Sequence, residues 1–224
     1  MPQRDSFSYK DIFCDGELYS LLTAFFMLGS AYVFEHYANI YAFAYSERPT
    51  SSYVGDLFLD NLPAVDLNLI IIEGAFLSIV LGTLYVLSKP RHILFALKAL
   101  ALFIIIRALF ISLTHVGVYP THIDPGSGFF ADIYSYLNFQ LGFFFSGHTG
   151  LPFLMALVFW DHRTARMVFL SLSVVFGVAV LLAHIHYSID VLAAPFMAYG
   201  IFGISKRLFP RDYALIQQAE HRLT

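Results

Sequence analysis

Hydrophobic residues in this chain gather into long runs divided by short polar stretches. A helix needs about 20 mostly apolar residues to cross a hydrocarbon core of roughly 30 Å. Windows of that size occur six times, at 19–39, 67–88, 93–113, 141–160, 167–183 and 187–204. The last two need separating, because between Val168 and Ile204 the only ionisable side chains other than tyrosine are His184, His186 and Asp190. A single helix over those 37 residues would be about 55 Å long, far more than one bilayer. The chain therefore turns back near His184 to Ser188. Pro195 and Gly200 inside the sixth span predict a kink and not a break, since neighbouring groups in a membrane can satisfy a freed carbonyl. The pattern predicts an all-α polytopic membrane protein with a segment 1–18, a membrane domain 19–205 of six transmembrane helices, and a basic tail 206–224.

Composition sharpens this. Of 224 residues, 58% are hydrophobic and 13% charged; a water-soluble globule, with about a quarter of its residues charged, is excluded. A net charge of −3 supplies no basic field for nucleic acid. The one cysteine, Cys14, excludes an intramolecular disulfide and any zinc site built on several thiolates. Residues 1–18 lack the basic, apolar and small-residue succession of a cleaved signal peptide, so targeting rests with the spans.

Orientation follows from Lys and Arg, which concentrate in cytoplasmic loops. With the N-terminus inside, the inner segments hold Arg4, Lys10, Lys89, Arg91, Arg163, Arg166, Lys206, Arg207, Arg211 and Arg222, whereas the outer loops hold only Arg48. Lys98 and Arg107 fall within the third span. Both termini are thus expected in the cytosol, and the turn at His184 to Ser188 faces outward. The tail, beginning Lys206-Arg207, reads as an anchor to anionic lipid.

Ionisable groups at membrane depth are expensive and mark functional interiors. Arg107, His148, His186 and Asp190 all fall in the outer half of their spans. His186 and Asp190 are spaced i, i+4, which on a helix places them on one face. A carboxylate there accepts the proton of one imidazole nitrogen and raises the basicity of the other, making His186 a candidate nucleophile. His148, in Ser146-Gly147-His148-Thr149, is placed to protonate a leaving oxygen, and Arg107 offers a planar fork for phosphate oxygens. Gly147 would let backbone amides approach a ligand, with hydroxyl donors from Ser146 or Thr149. These parts fit in-line displacement at phosphorus through a phosphohistidine, chemistry that needs no cofactor. Zinc held by His184, His186, Asp190 and His148 is the sharper rival, disfavoured because Arg107 would set a repulsive cation beside the metal. Ser146 as a hydrolase nucleophile is weaker, since Phe144 stands where a nucleophile elbow uses glycine.

The run Ser146-Gly147-His148-Thr149, followed by His184-Ile185-His186-Tyr187-Ser188-Ile189-Asp190-Val191, resembles the sphingomyelin synthase family, a branch of the type 2 phosphatidate phosphatase superfamily. The family shows an SGHT element and then H-x-H-Y-T-x-D-V, with Ser188 here replacing the threonine. Arg107 with the stretch 114–120 looks like its arginine-containing segment, and Asp56 to Asp60 weakly resembles its acidic outer-loop motif. The resemblance implies that His186 attacks phosphorus, Asp190 orients it, His148 serves as acid and then base, and the site opens on the luminal or extracellular side. Gln140 departs from the cysteine typical of the animal enzymes. Phe145 before Ser146, and the absence of arginine from 177–182, depart from the phosphatase branch and favour the synthase branch.

The expected activity is transfer of a phospho-headgroup, phosphocholine or phosphoethanolamine, from a membrane phospholipid to a lipid alcohol such as ceramide or diacylglycerol. The alternative is a lipid phosphatase or phospholipase C that uses water. A carrier or scaffold with a conducting path of intramembrane charges is a third reading. Arg107, Ser146, Gly147, Thr149, His184 and Glu73 form the expected substrate-binding set beside the catalytic His148, His186 and Asp190. Glu35, His36 and Glu73 would line a headgroup pocket, attracting a cationic nitrogen to carboxylate and aromatic groups, or would be interfacial and paired. The outer loop 114–140, with Pro120, Pro125, Gly126 and Gly128 and without Lys or Arg, would cover the site or serve as an ordinary polar loop. A homo-oligomer is compatible with the sequence, which does not specify one.

Overall fold

The structure is a computed structural model that describes residues 7–46, 48, 51–124, 129–136 and 143–220. Arg4, Arg222, Pro125, Gly126, Gly128, Gln140 and the start of the fourth predicted span at 141–142 lie outside the described residues. The elements in order are α1 (Tyr9–Ile12), α2 (Asp15–Ser46), a π-helical turn (Leu69–Glu73) running into α3 (Gly74–Leu87), α4 (Pro90–Leu113), α5 (Phe129–Tyr136), α6 (Gly147–Val158), α7 (Arg163–Leu182), α8 (Ser188–Leu208) and α9 (Pro210–Glu220). No strand occurs among the described residues. Proline opens α4 and α9, where its fixed φ suits the first helical position and its missing N–H costs nothing.

Among the described residues, five helices are long and apolar enough to cross a membrane: Gly16–Ser46, Leu69–Leu87, Pro90–Leu113, Arg163–Leu182 and Ser188–Leu208. Among the described residues, the fourth predicted span, 141–160, contains a shorter apolar helix. Its helical part, α6, has only 12 residues, about 18 Å, because Ser146 caps it in extended conformation at φ −62°, ψ 120° and the chain leaves the helix at Phe159. In contrast, α2 outruns its predicted end at Asn39, since no glycine or proline interrupts 40–46. Its 32 residues make about 48 Å of helix. α8 continues through Pro195 to Leu208, and the predicted reversal falls between α7 and α8.

α4 is the hub. It packs against α2, α3, α6, α8 and α9, and Leu94, Phe95, Ala96, Ala99, Phe103 and Arg107 are buried along it. Large apolar side chains point outward on the periphery, among them Phe26 on α2, Leu84 on α3, Val174 on α7 and Phe196 on α8, as lipid-facing surfaces require. Toward the N-terminal end of α4, Lys98 is neutralised by α9. Its Nζ lies 2.7 Å from Asp212 Oδ2 and 2.7 Å from Ser20 Oγ, and Ser20 in turn donates to Asp212 Oδ1 at 2.7 Å. A lysine buried this deeply requires such a closed polar network, which docks α9 on the bundle. Arg107, near the other end of α4, meets the start of α6.

Candidate active site

Helix ends place the reactive side chains. α7 stops in a Schellman motif: the His184 N–H donates to the Leu181 carbonyl and the Ile185 N–H to the Val180 carbonyl, each at 3.0 Å. His184 holds the left-handed position with φ 54°, a role usually filled by glycine. Val180 and Ile185 are buried together beneath it, as the motif favours. The reversed chain then delivers His186 just ahead of α8.

His186 therefore precedes the helix, and its pairing with Asp190 arises differently from the shared helical face the spacing implied. Asp190 is the third residue of α8. Its Oδ2 accepts from the Tyr187 N–H at 3.3 Å, closing the first turn, and contacts His186 Nδ1 at 3.2 Å. With Nδ1–H committed to the carboxylate, His186 presents Nε2 as the free lone pair. Asp190 is 2% exposed and His186 5%, so this pair has little water to compete with it.

α6 brings the second histidine. Ser146 Oγ accepts from Thr149 N at 3.4 Å as the cap of α6, and the Ser146 N–H donates to the Asp190 carbonyl at 3.0 Å. The starts of α6 and α8 are thus tied together, and the positive ends of two helix dipoles converge where an anion would sit. The His148 and His186 rings have centroids 6.3 Å apart and planes inclined at 66°, so the two imidazoles are neighbours at the starts of α6 and α8. His148 also hydrogen-bonds the backbone of Ile71 in the π-helical turn, a carbonyl that would hold one ring N–H and leave the other nitrogen for chemistry.

Arg107 completes the group. Its Nε donates to the Phe145 carbonyl at 3.0 Å, and its Nη1 lies 2.5 Å from Glu35 Oε1 of α2. A Cβ on Gly147 would lie 3.3 Å from Arg107 Nε, so the small residue of the Ser-Gly-His run gives the guanidinium its space.

The remaining predicted binding residues take other positions. Thr149 is buried; its hydroxyl donates to Ser146 Oγ at 3.4 Å, and a Cβ on Gly177 of α7 would come within 3.2 Å of it. Ser146 is wholly buried. His184 Nδ1 meets Thr121 Oγ1 at 2.5 Å, and its carbonyl is 3.4 Å from His122 Nδ1, so it anchors the outer loop. Glu73 ends the π-helical turn two residues beyond Ile71 and makes no hydrogen bond or ion pair among the described residues. No three His, Cys, Asp or Glu side chains among the described residues are grouped to hold a metal ion.

Asp56 and Asp60 build a cap over the turn before α8. Asp56 accepts from the Ser188 N–H at 2.7 Å, Ser188 Oγ at 2.8 Å, the Phe58 N–H at 2.9 Å and the Leu59 N–H at 3.2 Å. Burial pushes its carboxyl pKa up, but the hydrogen bonds from Ser188, Leu59 and Phe58 outweigh it and hold the group below the usual carboxylate range. Tyr187 Oη donates to the Gly117 carbonyl at 2.8 Å, and Gly117 N–H to the Ser52 carbonyl at 3.0 Å. Tyr119 donates to Asp60, and that hydrogen bond to a carboxylate raises its phenol to about 12. Two outer segments, 51–66 and 114–124, are therefore fastened to the turn that carries His184 and His186. The weak signal for this cap was the acidic pair Asp56 and Asp60.

Residues 143–207 match the family described as PAP2 superfamily C-terminal. The matched stretch includes both the Ser146–Thr149 and the His184–Val191 runs. No curated protein and no solved structure matches the chain.

Proposed function

We propose that the chain is a multi-pass membrane enzyme that moves a phospho-headgroup from a glycerophospholipid to ceramide or diacylglycerol through a phosphohistidine. The observation that carries the reading is the pairing of His186 with Asp190 opposite His148, beside Arg107, where the starts of α6 and α8 meet. His186 Nε2 attacks phosphorus, and the bond from phosphorus to the diacylglycerol oxygen breaks. His148, on the other side of the phosphorus, donates the proton that this oxygen needs and regains it from the acceptor in the second step, while Arg107 balances the charge on the phosphoryl oxygens. Asp190 stabilises the positive charge that His186 acquires. The acceptor alcohol then loses its proton to His148 and attacks phosphorus, and the P–N bond to His186 breaks.

The excess of Lys and Arg at the opposite end of the bundle supports a site on the extracytoplasmic or luminal side. Hydrolysis by water is the second reading, favoured by the match to a phosphatase-type superfamily. Purified protein incubated with headgroup-labelled phosphatidylcholine or phosphatidylethanolamine, with and without ceramide or diacylglycerol, separates the two. Label appearing on the added lipid alcohol supports transfer; equal release of soluble label in every tube supports hydrolysis.

A further inference from the structure

Glu35 is the one carboxylate that α2 sends to the candidate site. Its Oε1 lies 2.5 Å from Arg107 Nη1, and the two side chains are only 13% and 11% exposed. Arg107 is also fixed by the Phe145 carbonyl at 3.0 Å, so the guanidinium is held from two sides at the Gly147 backbone. A partly buried ion pair of this kind resists separation, because removing either charge strands the other away from water. A phosphate that binds Arg107 therefore arrives beside a carboxylate that stays. A second negative charge on the ligand would be repelled by Glu35, whereas a ligand whose phosphate is followed a few ångströms on by a positive nitrogen would satisfy both members of the pair.

We infer that Glu35 is a specificity residue that selects phosphodiester lipids with a cationic headgroup over those with a neutral one. This rests on the phosphotransfer reading above. Glu35 offsets part of the Arg107 charge, so a phosphate held by Arg107 gains further when a cationic end lies near the carboxylate, and that end supplies the discrimination.

The experiment compares phosphatidylcholine with phosphatidylglycerol of the same acyl chains, in wild-type protein, Glu35→Gln and Glu35→Asp. Wild type and Glu35→Asp should favour phosphatidylcholine at least tenfold in kcat/KM. Glu35→Gln should bring the two lipids within about threefold, through a rise in KM for phosphatidylcholine. A purely structural role would lower both rates together, and an unchanged ratio in Glu35→Gln overturns the inference. Equilibrium dialysis with labelled phosphocholine and glycerol 3-phosphate reads the same preference without turnover. Binding that favours phosphocholine in wild type and loses that preference in Glu35→Gln supports the inference even if no lipid is turned over, an outcome that counts against the phosphotransfer reading alone. Equal binding of both probes by wild type overturns the inference.

Discussion

Replacing Asp190 by Asn should leave the bundle intact and disable the nucleophile. The carboxylate is 2% exposed and accepts from both the Tyr187 N–H, at 3.3 Å, and His186 Nδ1, at 3.2 Å. Both donors meet the same oxygen, Oδ2, so an Asn whose carbonyl oxygen takes that place keeps both bonds. An Asn turned the other way sets its NH2 against both the Tyr187 N–H and His186, which forces Nδ1 to become the acceptor and moves the ring proton to Nε2, the atom that must attack phosphorus. In either orientation the positive charge formed on attack loses its counter-ion. The corresponding change of a buried carboxylate to amide beside a catalytic imidazole costs about 10⁴ in rate. The 3.2 Å separation is at the long end for such a bond, so we expect a loss of about 10³, equivalent to roughly 4 kcal/mol of barrier. The assay is headgroup release from labelled phospholipid in mixed micelles, with thermal unfolding measured alongside. A variant that unfolds like the wild type and keeps its rate within threefold would refute the assignment of Asp190 as the counter-ion of His186.

Asp56→Ala removes four hydrogen bonds to the outer segment and the start of α8, and should cost about 2 kcal/mol. The Asp56 carboxyl is held below its ordinary 3.8, so its contribution is complete above that pH and disappears as pH falls through the lowered folded value. The difference in thermal unfolding between wild type and Asp56→Ala should therefore be constant near neutrality and shrink below pH 3.8; a difference independent of pH would contradict this. Asp212→Ala leaves Lys98 buried without its partner and should destabilise by about 3–5 kcal/mol, whereas Lys98→Met combined with Asp212→Leu should recover most of that; denaturation of the two variants decides the point. Gly147→Ala sets a methyl 3.3 Å from Arg107 Nε, which should shift the guanidinium by a few tenths of an ångström and lower kcat/KM about tenfold with little change in stability.

The spans most legible in sequence were those where apolar length alone decides the outcome, as for α4 and α7. The reversal near His184 was also legible, because no bilayer accommodates the uninterrupted run. α6 was overestimated because Phe143, Phe144 and Phe145 count as apolar whether helical or not, and the Ser146 cap that ends the extended stretch is a local hydrogen bond. The partnership of His186 and Asp190 was found through helical spacing, yet it forms through the turn before α8 and the third position of that helix. The bond from His148 to Ile71 depends on a π-helical turn with no sequence signature. Glu35 with Arg107, Asp56 with Ser188 and Lys98 with Asp212 each join residues at least 72 positions apart. Charge at membrane depth announces that Arg107 and Lys98 need partners; it does not say which helix supplies them.

Trapping the covalent intermediate tests the central claim most directly. Protein is mixed with phospholipid carrying a radiolabelled headgroup phosphate in the absence of acceptor, then quenched in base and digested. We predict a base-stable, acid-labile label on the peptide containing His186, absent from His186→Ala and discharged when ceramide or diacylglycerol is added before quenching. Turnover of the same lipid with no label on any histidine, or with label persisting in His186→Ala, would contradict the account.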